Sequence, residues 1–234
     1  KPNGNNLSSF VKGTLTVVPA GPGASTYSTA PARPVVPSWY NFAYDLSKWT
    51  GFTEVVMPAG TCTYAQLQVK VTTLGTNPGV LDARPCTNGV YISGADKLLL
   101  KGDLAIISNK YLLESGGGFK STTDQRLWLI TPDGNVNDTV PTCPSGSSFV
   151  INGGFDFTTT LSTMVYTPCA VTFSSGIDTL RGQIFVGAAT IDGGAKIGYE
   201  QIGMPGVDLD TGTPASSTPS TTSRPLVSLR NVTG

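Results

Sequence analysis

The stretch from Thr163 to Ile202, TMVYTPCAVTFSSGIDTLRGQIFVGAATIDGGAKIGYEQI, decides how the rest of this chain is read. Its short runs MVYTP, CAVTFSSG, GQIFVG, AATIDGG and AKIGYEQI alternate apolar with polar or small residues and are separated by turn residues, the period of strands and not of helices. Thr172 and Thr190 stand 18 residues apart with a glycine shortly after each, so the pattern repeats as well as alternates. Upstream, NGVYISG, DKLLLKGDLAIIS, KYLLESGGG, RLWLI and FVINGGFDFTTT continue it between positions 88 and 160.

Strands this short cannot bury their apolar residues alone. Successive turns of chain, each of roughly 18 to 24 residues, can share backbone hydrogen bonds and one interior if they stack in parallel. The fold expected is therefore all-β, a right-handed parallel β-helix or β-solenoid. An antiparallel β-sandwich is the alternative, since it also produces short alternating strands. Hairpin signals favour the solenoid, because few turns of the Asn-Gly kind occur outside Asn88-Gly89 and Asn152-Gly153.

Three regions are expected. Residues 1–60 hold a strand over Phe10–Val18, a proline-rich crossing from Pro19 to Pro37, and the aromatic cluster Trp39, Tyr40, Phe42, Tyr44 and Trp49 on one short helix. Residues 61–203 form the disulfide-stabilised solenoid, within which TYAQLQVKV alternates and reads as a strand. Residues 204–234 form an extended Ser/Thr/Pro-rich segment whose last residues, Leu226 to Val232, suit one more strand. The aromatic cluster has two readings: a plug over the end or flank of the β-core, which is favoured, or a ligand platform in which Trp39, Tyr40, Tyr44 and Trp49 stack on a carbohydrate.

Only 13% of the 234 residues are charged, and the formal net charge is zero. No basic stripe is present, which removes the phosphate-neutralising attraction on which nucleic-acid binding depends. Four cysteines, Cys62, Cys86, Cys143 and Cys169, are too widely spaced for paired zinc ligands and have no histidine to join them. They suit disulfides of an oxidising compartment better than buried thiols. Of three connectivities, Cys62–Cys86 with Cys143–Cys169 is favoured because each closes a short loop and keeps each half self-contained; such a bridge contributes about 3 kcal/mol. An extracellular or cell-surface protein follows. Its targeting segment is expected to precede Lys1, and a membrane would be met only through that piece. No apolar run here approaches the ~20 residues that span a bilayer.

The runs GVYISG, KLLLKGDLAII, RLWLITPDGNV, MVYTPCAVTFSSG and LRGQIFVGAATIDGGAKIGYE carry a likeness as well as a period. Over residues 88–203 the chain resembles the C-terminal region of PilX-type and Tad-type pilus-associated bacterial proteins. The resemblance rests on Val165, Tyr166, Pro168 and Gly176, then Gly182, Ile184, Gly187, Ile191, Gly193, Gly194, Ile197, Tyr199 and Glu200. It implies a protein carried on, or exported through, a type IV-like pilus, with other pilus or cell-surface proteins as partners. The first 60 residues and the cysteine brackets depart from the family pattern and leave the adhesive ligand, a host or surface glycan among the candidates, unspecified.

Chemistry is sparse. Without histidine, Ser/His/Asp and Cys/His catalysis are excluded. A polysaccharide hydrolase or lyase would need two carboxylates in one groove, drawn from Asp96, Asp103, Asp124, Asp156, Asp178 and Asp192, with Arg126 or Arg181. Scattered singly beside glycines, these read first as turn residues. The run Asp133-Gly-Asn-Val-Asn-Asp138 begins like a calcium loop, but Asp138 stands where glycine is required and Pro144 where glutamate is. Asp208 with Asp210 is a weaker echo of it, and the sequons at Asn137 and Asn231 read as coincidence. The expectation is a non-enzymatic adhesive or structural surface protein with no catalytic, cofactor or metal residues. The alternatives are a carbohydrate-active β-helix enzyme and a carbohydrate-binding module. For binding, the lateral face and interruptions at 66–88 and 116–148 are the expected surfaces.

Overall fold

The structure, a computed structural model, describes residues 39–60, 62–114, 116–174, 179–191, 196–208 and 213–214. The strand expected at Phe10–Val18, the proline-rich crossing, the tail beyond Pro214, and Asp178, Asp192, Asp210 and Asn231 lie outside these residues.

Strands dominate, and their order shows why the sequence repeats. After β1 (Thr53–Val56) the chain makes three similar passes: β2 (Gly79–Asp82), β3 (Val90–Ile92) and β4 (Lys97–Leu100); β5 (Leu104–Ile107), β6 (Lys110–Leu113) and β7 (Gly118–Ser121); β8 (Gln125–Ile130), β9 (Ser148–Ile151) and β10 (Asp156–Phe157). Each strand lies parallel to its counterpart in the next pass: β2 on β5 on β8, β3 on β6 on β9, and β4 on β7 on β10. The long strand β11 (Leu161–Phe173) then pairs with β8 through its first half and with β9 through its second, so one strand turns the corner between two flanks. It is followed by β12 (Leu180–Ile191) and β13 (Ile197–Tyr199), also parallel. The sheet is thus parallel and curled. The antiparallel sandwich does not account for these ladders. Antiparallel pairing among the described strands is confined to β14 (Val207–Asp208) with β15 (Thr213–Pro214).

Register explains which residues are buried. On the first flank, Leu81, Ile106, Leu129, Val165 and Ile184 stack in one inward row. Asp82, Ile107, Ile130, Tyr166 and Phe185 form an outward row one position on. Both sides are covered, which is why these strands read as unbroken apolar runs such as LAII and LWLI. On the second flank, Val90, Tyr111, Phe149, Val171 and Phe173 point into the core, and their neighbours remain accessible. Those strands alternate in sequence for that reason.

TYAQLQVKV is not a strand. It is α1 (Tyr64–Leu74), an α-helix that buries Leu67, Val71 and Leu74. Thr63 and Gln66 close a capping box at its start, with the Thr63 N–H donating to Gln66 Oε1 at 2.8 Å. Gly75, at φ +62°, ends it. The helix touches β2, β3 and β4, one strand from each flank of the next pass. Among the described residues, a strand placed there would meet no earlier pass on its outer edge to pair those backbone groups. A helix bonds its own backbone while laying an apolar stripe over the open end of the core. The short helix expected at the aromatic cluster is only a 3-10 turn at Leu46–Lys48, and the α-helix lies at Tyr64–Leu74 instead.

The aromatic segment covers a flank, not an end. Trp39 stacks on Phe185 at 4.8 Å between ring centroids, Phe42 lies 5.6 Å from Tyr166, and Trp49 meets Trp128 edge-on at 5.6 Å. These contacts run strand by strand along the outside of the first flank. Met204 and Val207 complete the same cluster.

Candidate functional site

The aromatics flagged as a platform are brought together, but by the sheet beneath them. Trp49 is 1% exposed and so is removed from any ligand surface. Trp39 is half-buried and its Nε1 donates to Asp133 Oδ2 at 2.9 Å. The Tyr44 hydroxyl donates to Glu54 Oε1 at 2.7 Å, and the Arg84 guanidinium lies 5.0 Å over its ring. Burial, then Glu54, push the Tyr44 phenol upward, and burial alone pushes up Tyr40. The four residues serve as a strap.

The calcium-like run is a bracket for that strap. Asp133 Oδ1 accepts from the Asn135 N–H at 2.9 Å while its Oδ2 holds Trp39. Asp138 accepts from the Val140 N–H at 3.1 Å, from Asn135 Nδ2 at 2.8 Å and from Asn41 Nδ2 at 3.2 Å. The Val140 amide is the main reason its carboxyl sits below the ordinary range. These oxygens point at protein donors, as turn residues do.

The candidate catalytic carboxylates separate into several places. Asp103 and Asp124 do line one open cleft of about 460 Å³ with Arg126. Asp103, however, accepts from Arg126 through the backbone N–H at 2.7 Å, Nε at 2.9 Å and Nη2 at 2.6 Å, so both its oxygens are engaged. Asp156 sits between Lys97, at 3.3 Å, and Lys120, at 3.9 Å. Arg181 pairs with Glu200 at 2.8 Å. Asp96 lines a different groove. Among the described residues no group of three or more Cys, Asp and Glu is placed to hold a metal ion.

Cys62 is bonded to Cys86 and Cys143 to Cys169. Both bridges lie where the chain turns from the first flank to the second. Cys86 follows β2 and bridges to Gly60, whereas Cys169 sits at the bend inside β11, where register shifts between Thr167 and Ala170. Pro168 occupies that bend, the place in a strand where a missing N–H costs least. Bonds of this kind mark a protein matured in an oxidising compartment. No helix among the described residues is long and apolar enough to cross a membrane.

A groove of about 750 Å³ lies beside the first bridge, on the second flank. Its floor is made by outward side chains of stacked strands: Tyr91 of β3 in register with Leu112 of β6, and Lys110 of β6 in register with Ser148 of β9. Its wall is the start of α1, from Cys62 to Ala65. The Tyr64 hydroxyl donates to the Lys97 carbonyl at 2.9 Å and the Tyr91 hydroxyl to Glu114 Oε2 at 3.2 Å, so both rings are held from their far ends. No family model, curated protein or solved structure matches the chain.

Sequence reasoning placed the binding surface on the lateral face and in the spans 66–88 and 116–148. Parts of those spans are regular structure: α1 and β2 in the first, β7 and β8 in the second. The longest irregular stretch is 131–147. The groove residues were missed as a group because they come from separate passes, and only register brings them side by side. The Thr63–Gln66 capping box was the available signal for its wall.

Proposed function

We propose that the protein is an exported right-handed parallel β-helix that works at the cell surface by binding and presentation, as a minor or tip component of a pilus-like appendage. Right-handedness follows from the strong preference of parallel strand-to-strand crossovers within one sheet. The pilus assignment rests on the resemblance carried by Val165 to Glu200. The absence of catalysis rests on the engagement of Asp103, Asp133, Asp138 and Asp156 by protein donors and cations.

The observation that carries the reading is the outward row of the second flank. Tyr91, Leu112, Val150, Thr172 and Thr190 are register partners across five successive strands. They make a long ribbon of half-exposed and exposed side chains on a frame that two disulfides tie down. Such a ribbon suits contact with an extended partner, because each strand adds one contact about 4.8 Å from the last.

The test has two arms. In its native host, the protein should leave with the appendage fraction when cells are sheared and stay behind when appendage assembly is disabled. Immobilised protein should retain native surface material, and Val150→Asp with Thr172→Arg should abolish that retention without unfolding the chain. Turnover of a polysaccharide by the purified protein would replace this reading with the enzyme.

A further inference from the structure

We infer that the groove walled by the start of α1 is a saccharide-binding site, in which Tyr91 and Leu112 form the apolar floor and Lys110, Asp96 and Asn88 supply the polar contacts. This rests on the surface-binding function proposed above and names its ligand class. The groove is mixed in the way a sugar requires, with an aromatic and an aliphatic side chain in one register row and hydrogen-bonding groups at either end of β3. Asn88 precedes that strand and Asp96 follows it. Tyr91 is 43% exposed although its hydroxyl is tethered to Glu114, so the ring meets solvent in a fixed orientation. A fixed ring costs little ordering when a ligand packs on it. None of the described salt bridges uses Lys110 or Asp96, in contrast to Asp103, Asp156 and Glu200.

A peptide is the competing occupant, because β3 is the last described strand on its side of the sheet and lends Tyr91 to the groove. The strand is three residues long. The Glu114 N–H donates to the Ile92 carbonyl at 2.9 Å, so Ile92 bonds toward β6, and alternation leaves Tyr91 as the strand residue whose backbone points outward. One residue's N–H and C=O give little to strand addition, which draws its affinity from a run of main-chain bonds. The floor, by contrast, is built from side chains across β3, β6 and β9 and favours a ligand read by side chains.

The experiment uses the full chain on an array of neutral, amino- and uronic-acid-containing oligosaccharides, with a display library of unstructured peptides in parallel. Saccharide hits are titrated by calorimetry against Tyr91→Ala, Tyr91→Phe, Lys110→Ala and Asp96→Asn. Binding weakened at least tenfold by Tyr91→Ala and by one of the two charge variants, with Tyr91→Phe, which keeps the ring but loses its tether, weakened less than Tyr91→Ala, and the melting temperature of each variant near that of the parent, supports the site. Saccharide binding unaffected by these variants overturns it. Peptide hits lost with Tyr91→Ala, without saccharide hits, overturn the ligand class and leave the surface function standing. Retention of native surface material that survives all four variants overturns the site alone, and loss of such retention in the parent protein sinks the function beneath it.

Discussion

The Tyr166 hydroxyl donates to the Tyr40 carbonyl at 2.6 Å, joining residues 126 positions apart in sequence. The same oxygen accepts from the Phe42 N–H at 3.0 Å. Tyr166 lies in the outward row of the first flank, and Tyr40 and Phe42 belong to the aromatic strap, so one side chain satisfies both backbone groups of a segment that would otherwise cross an apolar surface unpaired. Tyr166→Phe keeps the ring and deletes both bonds. Unfolding in urea should show a loss of about 1–3 kcal/mol, the cost of leaving buried backbone groups without partners. An unchanged midpoint would mean that water reaches the strap.

The same pair sets an alkaline limit. Burial pushes the Tyr166 phenol above its ordinary value, with the Phe42 N–H working the other way. A folded value raised above the unfolded one gives stability that is whole below the ordinary tyrosine range, near pH 10, and is lost as pH rises through the folded value. Thermal unfolding should therefore be flat from pH 7 to about 9 and weaken above about 10. Tyr166→Phe should show a shallower decline there.

Reduction should separate the two bridges. Cys62 and Cys86 are 3% and 6% exposed, whereas Cys143 is exposed although its partner Cys169 is buried. Exchange requires a thiolate to reach a sulfur, so access decides the order. Limited dithiothreitol followed by alkylation and mass spectrometry should find Cys143 and Cys169 modified while Cys62 and Cys86 remain joined. Cys62→Ser with Cys86→Ser should cost about 3 kcal/mol, as expected for a loop of this size. Simultaneous reduction of both bridges in folded protein would contradict this ordering.

Much of this was legible in the chain. The 18-residue spacing of Thr172 and Thr190 is a true register, since the two residues pair across β11 and β12. The loop sizes that favoured Cys62–Cys86 and Cys143–Cys169 correspond to bridges that fasten a single corner of the curled sheet. The helix was illegible because the helical pair Leu67 and Val71 has Val69 between them, exposed on the helix, which gives the run a strand-like alternation. What decided it was position, namely that among the described residues no earlier strand lies beside that flank to pair with. The fate of Trp49 was hidden for a related reason. An aromatic residue reads the same whether it faces a sugar or another tryptophan, and Trp128 is 79 positions away. The groove was hidden because its floor exists only once three passes have been stacked.

The helix that closes the open end makes its own prediction. Leu67 is fully buried in the core cluster, and Thr63 caps the first turn. Leu67→Ala should cost about 2–5 kcal/mol and Thr63→Ala about 1 kcal/mol. If α1 protects β2, β3 and β4, Leu67→Ala should also speed amide hydrogen exchange in those strands ahead of β8 and β11. Uniform acceleration along the stack would show that the helix stabilises the whole and guards no end.

Acid should act through Asp82 and Arg84. Burial pushes the Asp82 carboxyl up, but Arg84 Nε at 2.8 Å, Nη2 at 2.7 Å and the Arg84 N–H at 3.1 Å outweigh it and leave the group below its ordinary range. A lowered folded value contributes stability that is present above the unfolded value, about 3.9, and is lost as pH falls through the folded one. The parent protein should therefore hold its stability from pH 7 to about 5 and lose it below about 4. Arg84→Ala removes the guanidinium and leaves burial as the dominant influence, so the Asp82 carboxyl should move above its ordinary value. The charged form then destabilises the fold, and protonation relieves it. Urea titrations from pH 3 to 7 should show the variant furthest below the parent at neutral pH, with the gap closing as pH falls. A gap of constant size across that range would show that Arg84 contributes by packing alone, with no share from the charge of its partner.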